Sequence, residues 1–231
     1  MNKKRYIIVV LLIIVFFVFF KYIFSNWNGK EEKKINGYET VSTNAEGFIY
    51  EKTESIVFPR NIEVNEGEIV EFTLPPIIVD KDRIDIKVET YNADSNITYA
   101  YKNEDYSITV AFTKEQLEYR INNMEFFINS FISNRSNLDI FISDDFKAVV
   151  YYIDNECSYL DFVDASVFTE QTLICAQVFS GVEYKLCYHK SKVVDRTTGE
   201  LLFEYHCDSY DVYDFPSQNE WNEKLGLEKN Y

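Results

Sequence analysis

Tyr6–Phe24 reads YIIVVLLIIVFFVFFKYIF and is apolar apart from Lys21. Nineteen residues at about 1.5 Å each make roughly 28 Å of helix, close to the ~30 Å hydrocarbon core of a bilayer. A run of this length reads as a membrane span. Lys3, Lys4 and Arg5 precede it, and no acid occurs before Glu31. Positive flanks stay cytoplasmic, so the N-terminus is expected inside and the rest of the chain outside. Lys30, Lys33 and Lys34 follow the span and weigh against this direction, although Glu31 and Glu32 sit among them. A cleaved signal peptide needs a shorter apolar region and small residues at the cleavage site. Phe24-Ser25-Asn26-Trp27-Asn28 supplies no such pattern. The reading is therefore an uncleaved single-pass anchor over residues 1–25, with an extracellular domain beyond it.

All 38 acids of the chain lie after residue 30, against 19 bases outside the first 25 residues. This excess disfavours a nucleic-acid partner, because binding phosphate needs a basic footprint. It fits either a solvated, repulsive surface or an acidic face for a basic protein. With 18 Tyr and 19 Phe, the chain has ample side-chain bulk for a core. Four cysteines, Cys157, Cys175, Cys187 and Cys207, suggest disulfides in an outward-facing domain, with three possible connectivities.

Beyond the anchor, residues 26–45 are polar and read as a stalk. Strand-like runs follow at Gly47–Lys52, Glu54–Phe58 and Glu68–Leu74. In Arg83–Tyr91, Ile84, Ile86 and Val88 alternate with charged residues, the mark of a half-buried strand. With Asn96–Lys102 and Tyr106–Phe112 it reads as a meander. Thr113-Lys-Glu-Gln116 is a capping box that opens a helix from Lys114 to about Ser133. Leu117, Ile121, Met124, Ile128, Phe131 and Ile132 make its apolar stripe. Leu138–Ile142 and Phe146–Ile153 read as a hairpin. Cys157–Phe168 reads as a short helix or a loop. Thr172–Phe179, Val182–Val194 and Glu200–Cys207 then read as a second meander. The expected fold is α+β, a mostly antiparallel sheet on one long helix over residues 46–216, with a polar tail at 217–231.

The chain has no GxGxxG, GxxxxGK[ST], HExxH, GxSxG or CxxC. No catalytic residue, cofactor or metal is assigned, and the domain is read as a binding module rather than an enzyme. Asp154-Asn155-Glu156 with Asp161 and Asp164 lacks calcium-loop spacing. A four-residue loop, Arg196–Gly199, makes paired positions of the last hairpin sum to 395. This register sets His189 opposite His206 and Cys187 opposite Asp208. It puts zinc-type ligands together, although the plainer reading is a solvated strand face. A five-residue loop would instead face Cys187 with Cys207. The hydrophobic pattern favours the four-residue loop.

Asp208-Ser-Tyr-Asp-Val-Tyr-Asp214 spaces Asp208, Asp211 and Asp214 three apart, with Tyr210 and Tyr213 between. Tyrosine gives contact area with a polar tip, and acids steer a basic partner. The segment is the candidate protein-binding site; otherwise it is a solvated terminal stretch. The anchor, the outward acidic domain and the α+β pattern together resemble the TipC-type immunity proteins of Gram-positive bacteria. The resemblance lies in the whole architecture and carries over no individual residue. It implies a guard against a secreted, envelope-attacking toxin. A structural or assembly subunit of an envelope complex is the alternative.

Overall fold

A computed structural model describes residues 37–42, 48–76, 81–208 and 215–227. The Tyr6–Phe24 span, the stalk up to residue 36, and Tyr210, Asp211, Tyr213 and Asp214 lie outside the described residues. Among the described residues, no helix is long and apolar enough to cross a membrane.

Three sheets and four helices are described, and the strand pairing is mostly antiparallel. Strand β1 (Gly37–Ser42) pairs with β2 (Ile49–Ser55). The end of the expected stalk is thus a strand, and the two runs expected at 47–58 merge into one. β3 (Val70–Leu74), β4 (Tyr99–Lys102) and β5 (Ile108–Phe112) form a sheet in the order β3-β5-β4. β6 (Leu138–Ile142), β7 (Ala148–Ile153), β8 (Tyr188–Asp195) and β9 (Leu201–Asp208) form another, in that order.

The stretch read as a strand before β4 is helix α1, Ile84–Ala93. Ile84, Val88 and Tyr91 lie one helical face apart, and Ile84 and Tyr91 are buried. Ile86 is 62% exposed, so the apparent alternation does not mark a buried face. Helix α2, Lys114–Ser133, starts at the expected capping box: Gln116 N donates to Thr113 Oγ1, and Thr113 N to Gln116 Oε1. Its stripe is buried at Leu117, Ile121 and Ile128. Asn129 of α2 also ties β2 down, accepting from Ile56 N and donating to Ile56 O.

Helix α3, Tyr159–Phe179, replaces both the stretch expected as a short helix or a loop at Cys157–Phe168 and the strand expected at Thr172–Phe179. Ser158 caps it by accepting from Asp161 N at 3.1 Å. It links β7 to β8, which pair in parallel from Ala148↔Lys190 to Ile153↔Asp195. Parallel neighbours require such a crossover, so the fold holds one βαβ unit where none was expected. Its Phe179 packs edge-on against Phe72 at 5.0 Å and Phe112 at 5.8 Å. Phe168 meets Phe131 of α2 at 4.6 Å. One continuous core results, within a single unit spanning Lys34–Tyr231.

The expected polar tail contains helix α4, Gln218–Lys224, with a second capping box, Ser217 and Glu220. Trp221 is fully buried, stacked on Phe162 at 4.7 Å and on Phe203 at 5.8 Å. The four cysteines are free thiols and all are buried, so the expected disulfides are absent.

Candidate functional site

Helix α3 lays an unusual face on the β6-β7-β8-β9 sheet. Ser166, Glu170 and Gln177 fall on one stripe at i, i+4 and i+11, and all three are buried. Gln177 donates to the carbonyls of Phe146 and Tyr188 at 3.0 Å each, closing the loops at one end of the sheet. Ser166 returns its hydroxyl to Phe162 O. The Glu170 side chain instead reaches into the sheet and bonds to side chains there.

One carboxylate oxygen of Glu170, Oε1, accepts from three hydroxyls. These are Tyr205 at 2.8 Å, Ser191 at 2.9 Å and Tyr151 at 3.3 Å. The strands supply them from neighbouring positions: β7 gives Tyr151, β8 Ser191 and β9 Tyr205, with Ser191 paired to Tyr205. Burial first, then the Glu170 charge, holds both tyrosine hydroxyls well above their ordinary range, so they remain donors. The same two causes raise the Cys207 thiol.

The other oxygen, Oε2, makes no hydrogen bond; it stands 3.4 Å from His189 Nε2. Neither ring nitrogen of His189 makes a hydrogen bond, and its side chain is fully enclosed. Cys207 is opposite His189 on β9. The ligand atoms of Glu170, His189 and Cys207 all lie within 4.8 Å of one another.

This differs from the expected grouping of Cys187, His189, His206 and Asp208. The four-residue loop holds at its mouth, where Val194 pairs with Leu201 and Asp195 N donates to Glu200 O at 2.9 Å. A β-bulge between Val193 and Val194 then adds Leu202 to β9, and Val193 pairs with Phe203. Beyond it every pair sums to 396. One inserted residue turns the rest of the strand to the other face. His206 therefore faces outward beside Lys190, and Asp208 pairs with Tyr188. Cys187 precedes the strand, buried behind the turn Tyr184–Leu186, with its sulfur 3.6 Å from Glu183 O. Only His189 of the four enters the cluster, and neither weighed register describes the strand pair beyond the bulge. Glu170 does have a signal in the sequence. Once 159–179 is taken as a helix, a carboxylate falls on the same stripe as Phe162 and Leu173, which are fully buried.

Of the expected protein-binding residues, Asp208 ends β9, an outer strand of its sheet, and is exposed. Tyr210, Asp211, Tyr213 and Asp214 fall outside the described residues. Asp154, among the acids set aside as a calcium loop, pairs with Arg196, and Asp161 serves the start of α3. Between β2 and the outer face of β6 and β7 lies an open groove of about 400 Å³. Ile49, Tyr50, Phe141, Val150 and Tyr152 line it, with Tyr50 and Tyr152 stacked at 4.1 Å. No family model, curated protein or solved structure matches the chain.

Proposed function

We infer that the chain is a membrane-anchored, extracellular acidic domain that binds a basic protein, in the manner of an immunity or inhibitor protein against a secreted envelope-targeting toxin. The observation that carries this reading is the disposition of charge. Acids outnumber bases two to one beyond the anchor. Six of these 19 bases are also engaged within the domain. Lys52, Arg60, Lys102, Lys192, Arg196 and Lys224 each stand within ion-pair reach of an acid. The surplus left on the surface is negative and favours encounter with a positive patch.

Two further features support binding over catalysis. The cluster of reactive side chains around Glu170 is closed to solvent and presents nothing to an outside substrate. The open surface instead offers aromatic contact area: the groove at Tyr50 and Tyr152, and exposed Tyr99, Tyr101 and Tyr106 around the β4–β5 hairpin. The acidic, tyrosine-bearing segment from Asp208 to Asp214, which begins at the last residue of β9, is the proposed steering face.

The test is capture by the purified full chain in detergent, compared with a chain lacking residues 1–25. An immunity or inhibitor protein takes up a basic secreted protein in both forms, more weakly as salt rises. If only membrane neighbours co-purify, and only when Tyr6–Phe24 is present, the chain is an assembly subunit instead.

A further inference from the structure

Glu170, His189 and Cys207 offer a carboxylate oxygen, an imidazole nitrogen and a thiol sulfur within 4.8 Å of one another, on three side chains shut away from solvent. We propose that these three residues bind a divalent metal ion of the zinc class. The proposal stands apart from the partner-binding reading and does not depend on it.

The spacing fits an ion better than a hydrogen bond. At 3.4 Å, His189 Nε2 and Glu170 Oε2 are too far apart for a good N–H···O contact, and neither atom makes a hydrogen bond. Bonds of about 2.0–2.2 Å to nitrogen and oxygen around a tetrahedral ion put neighbouring ligand atoms roughly 3.3–3.5 Å apart. The observed separation is that of two ligands sharing an ion.

The carboxylate is held as a ligand would be. Three hydroxyls, from Tyr151, Ser191 and Tyr205, converge on Oε1 and fix the group from behind. Oε2 is thereby left with its lone pairs directed at His189. Outer hydrogen bonds of this kind orient a ligand and set its basicity. A buried imidazole with neither nitrogen bonded, beside a bare carboxylate oxygen, would otherwise carry an uncompensated desolvation cost. An ion accounts for Glu170 Oε2 and His189 Nε2 at once and leaves only the Nδ1 atom of the ring without a partner.

Charge and softness select the metal class. A carboxylate, a thiolate and a neutral imidazole balance a dication, so the interior gains no net charge. The sulfur disfavours calcium and magnesium, which take oxygen ligands, and suits zinc and its borderline neighbours. Because the three groups are enclosed, the ion must enter as the chain folds, so loading and folding are coupled.

The test uses the full chain in detergent, stripped of metal by chelator under denaturing conditions and refolded with Co²⁺. The expected result is one cobalt per chain with a thiolate-to-cobalt charge-transfer band, displaced by Zn²⁺. Cys207→Ser should remove the band and weaken Zn²⁺ binding by at least about tenfold. Cys157→Ser should leave both unchanged. A folded wild-type chain with no thiolate–cobalt band overturns the proposal, as does a band that survives Cys207→Ser. If Cys207→Ser does not fold, X-ray absorption at the zinc edge of the wild-type chain decides. One sulfur in the ligand shell supports the site; no sulfur, two or more sulfurs, or no bound zinc overturns it.

Discussion

His189 and Cys207 face each other across the last hairpin because Leu202 is an extra residue in β9. The bulge lets a four-residue loop coexist with an inner face on which Tyr205 and Cys207 both point at Glu170. Without the extra residue, the loop register would carry His206 inward opposite His189. The polar cluster is thus set by a local irregularity of one strand and closed by helix α3, whose Glu170 bonds directly to β7, β8 and β9.

Glu170 should be a stability determinant with a graded response. Glu170→Ala leaves the Tyr151, Ser191 and Tyr205 hydroxyls without their shared acceptor in a dry interior. Removing one member of such a network costs about 3–5 kcal/mol. Glu170→Gln keeps an acceptor for the hydroxyls and adds an amide donor towards His189, so its cost should be about 1 kcal/mol. Urea unfolding of the full chain, with chelator present to remove any metal contribution, measures both.

The C-terminal helix should be indispensable to the fold. Trp221 is sandwiched between Phe162 of α3 and Phe203 of β9 and is fully buried. Trp221→Ala should cost about 3–5 kcal/mol. Truncation after Pro216 should do at least as much. A thermal melt of either variant that matches the wild type would show that α4 contributes little.

The elements that read correctly and those that did not differ in a physical way. α2 has one wet face and one dry face, so its 3.6-residue period and Thr113 cap are written in the sequence. β6 and β7 follow in the same way from their alternation. α3 lies between two sheets, and every residue from Leu173 to Phe179 is buried. A helix dry on all sides has no period to read and resembles a strand. α1 failed for the opposite reason: a chance alternation of Ile84, Ile86 and Val88 hid the face made by Ile84, Val88 and Tyr91. In the candidate site, His189 was legible as a residue but its partners were not. The bulge at Leu202 has no signature in residue type, and Glu170 lay in a segment whose helical nature was missed.

The three thiols outside the Glu170 cluster, Cys157, Cys175 and Cys187, should be inert in the native state. Burial, then the neighbouring acids, pushes the Cys157 thiol up to about 12, and burial pushes Cys175 up to about 11. At neutral pH almost no thiolate is available to attack an electrophile. Iodoacetamide should leave the folded chain unmodified for hours and label four cysteines per chain once it is unfolded without reductant. Fewer than four labelled sites would indicate disulfides that the structure does not contain.

Asp105 should contribute acid sensitivity. It accepts from Ser107 N and Oγ and from the Tyr184 hydroxyl, joining the β4–β5 turn to the turn before β8. The Ser107 hydroxyl, then that of Tyr184, holds its carboxyl down at about 2. A carboxyl lowered on folding stabilises the fold above its unfolded value of about 4, and that stability is lost as pH falls towards about 2. The melting-temperature gap between wild type and Asp105→Asn should therefore be largest near about pH 5 and close as pH drops to about 2. A gap that is constant across this range would assign the residue a purely steric role.

The steering face can be separated from the rest of the acidic surface by kinetics. Asp208 ends β9 in an exposed position, and Asp211 and Asp214 follow in the same acidic segment. Charges at the rim of an interface act mainly on the association rate and its salt dependence, whereas buried aromatic contacts act on dissociation. With a basic protein captured by the domain as ligand, Asp211→Lys combined with Asp214→Lys should slow association several-fold and flatten its dependence on salt. The melting temperature should hardly move. Tyr213→Ala should leave association nearly intact and raise the dissociation rate. If the double charge reversal changes neither the association rate nor its salt slope, the steering charge lies elsewhere. The same reversal at Glu71 and Glu104, beside the exposed tyrosines of the β4–β5 hairpin, would then be the next comparison, since Tyr99 donates to Glu71 at 2.8 Å and fixes an acid beside open aromatic surface.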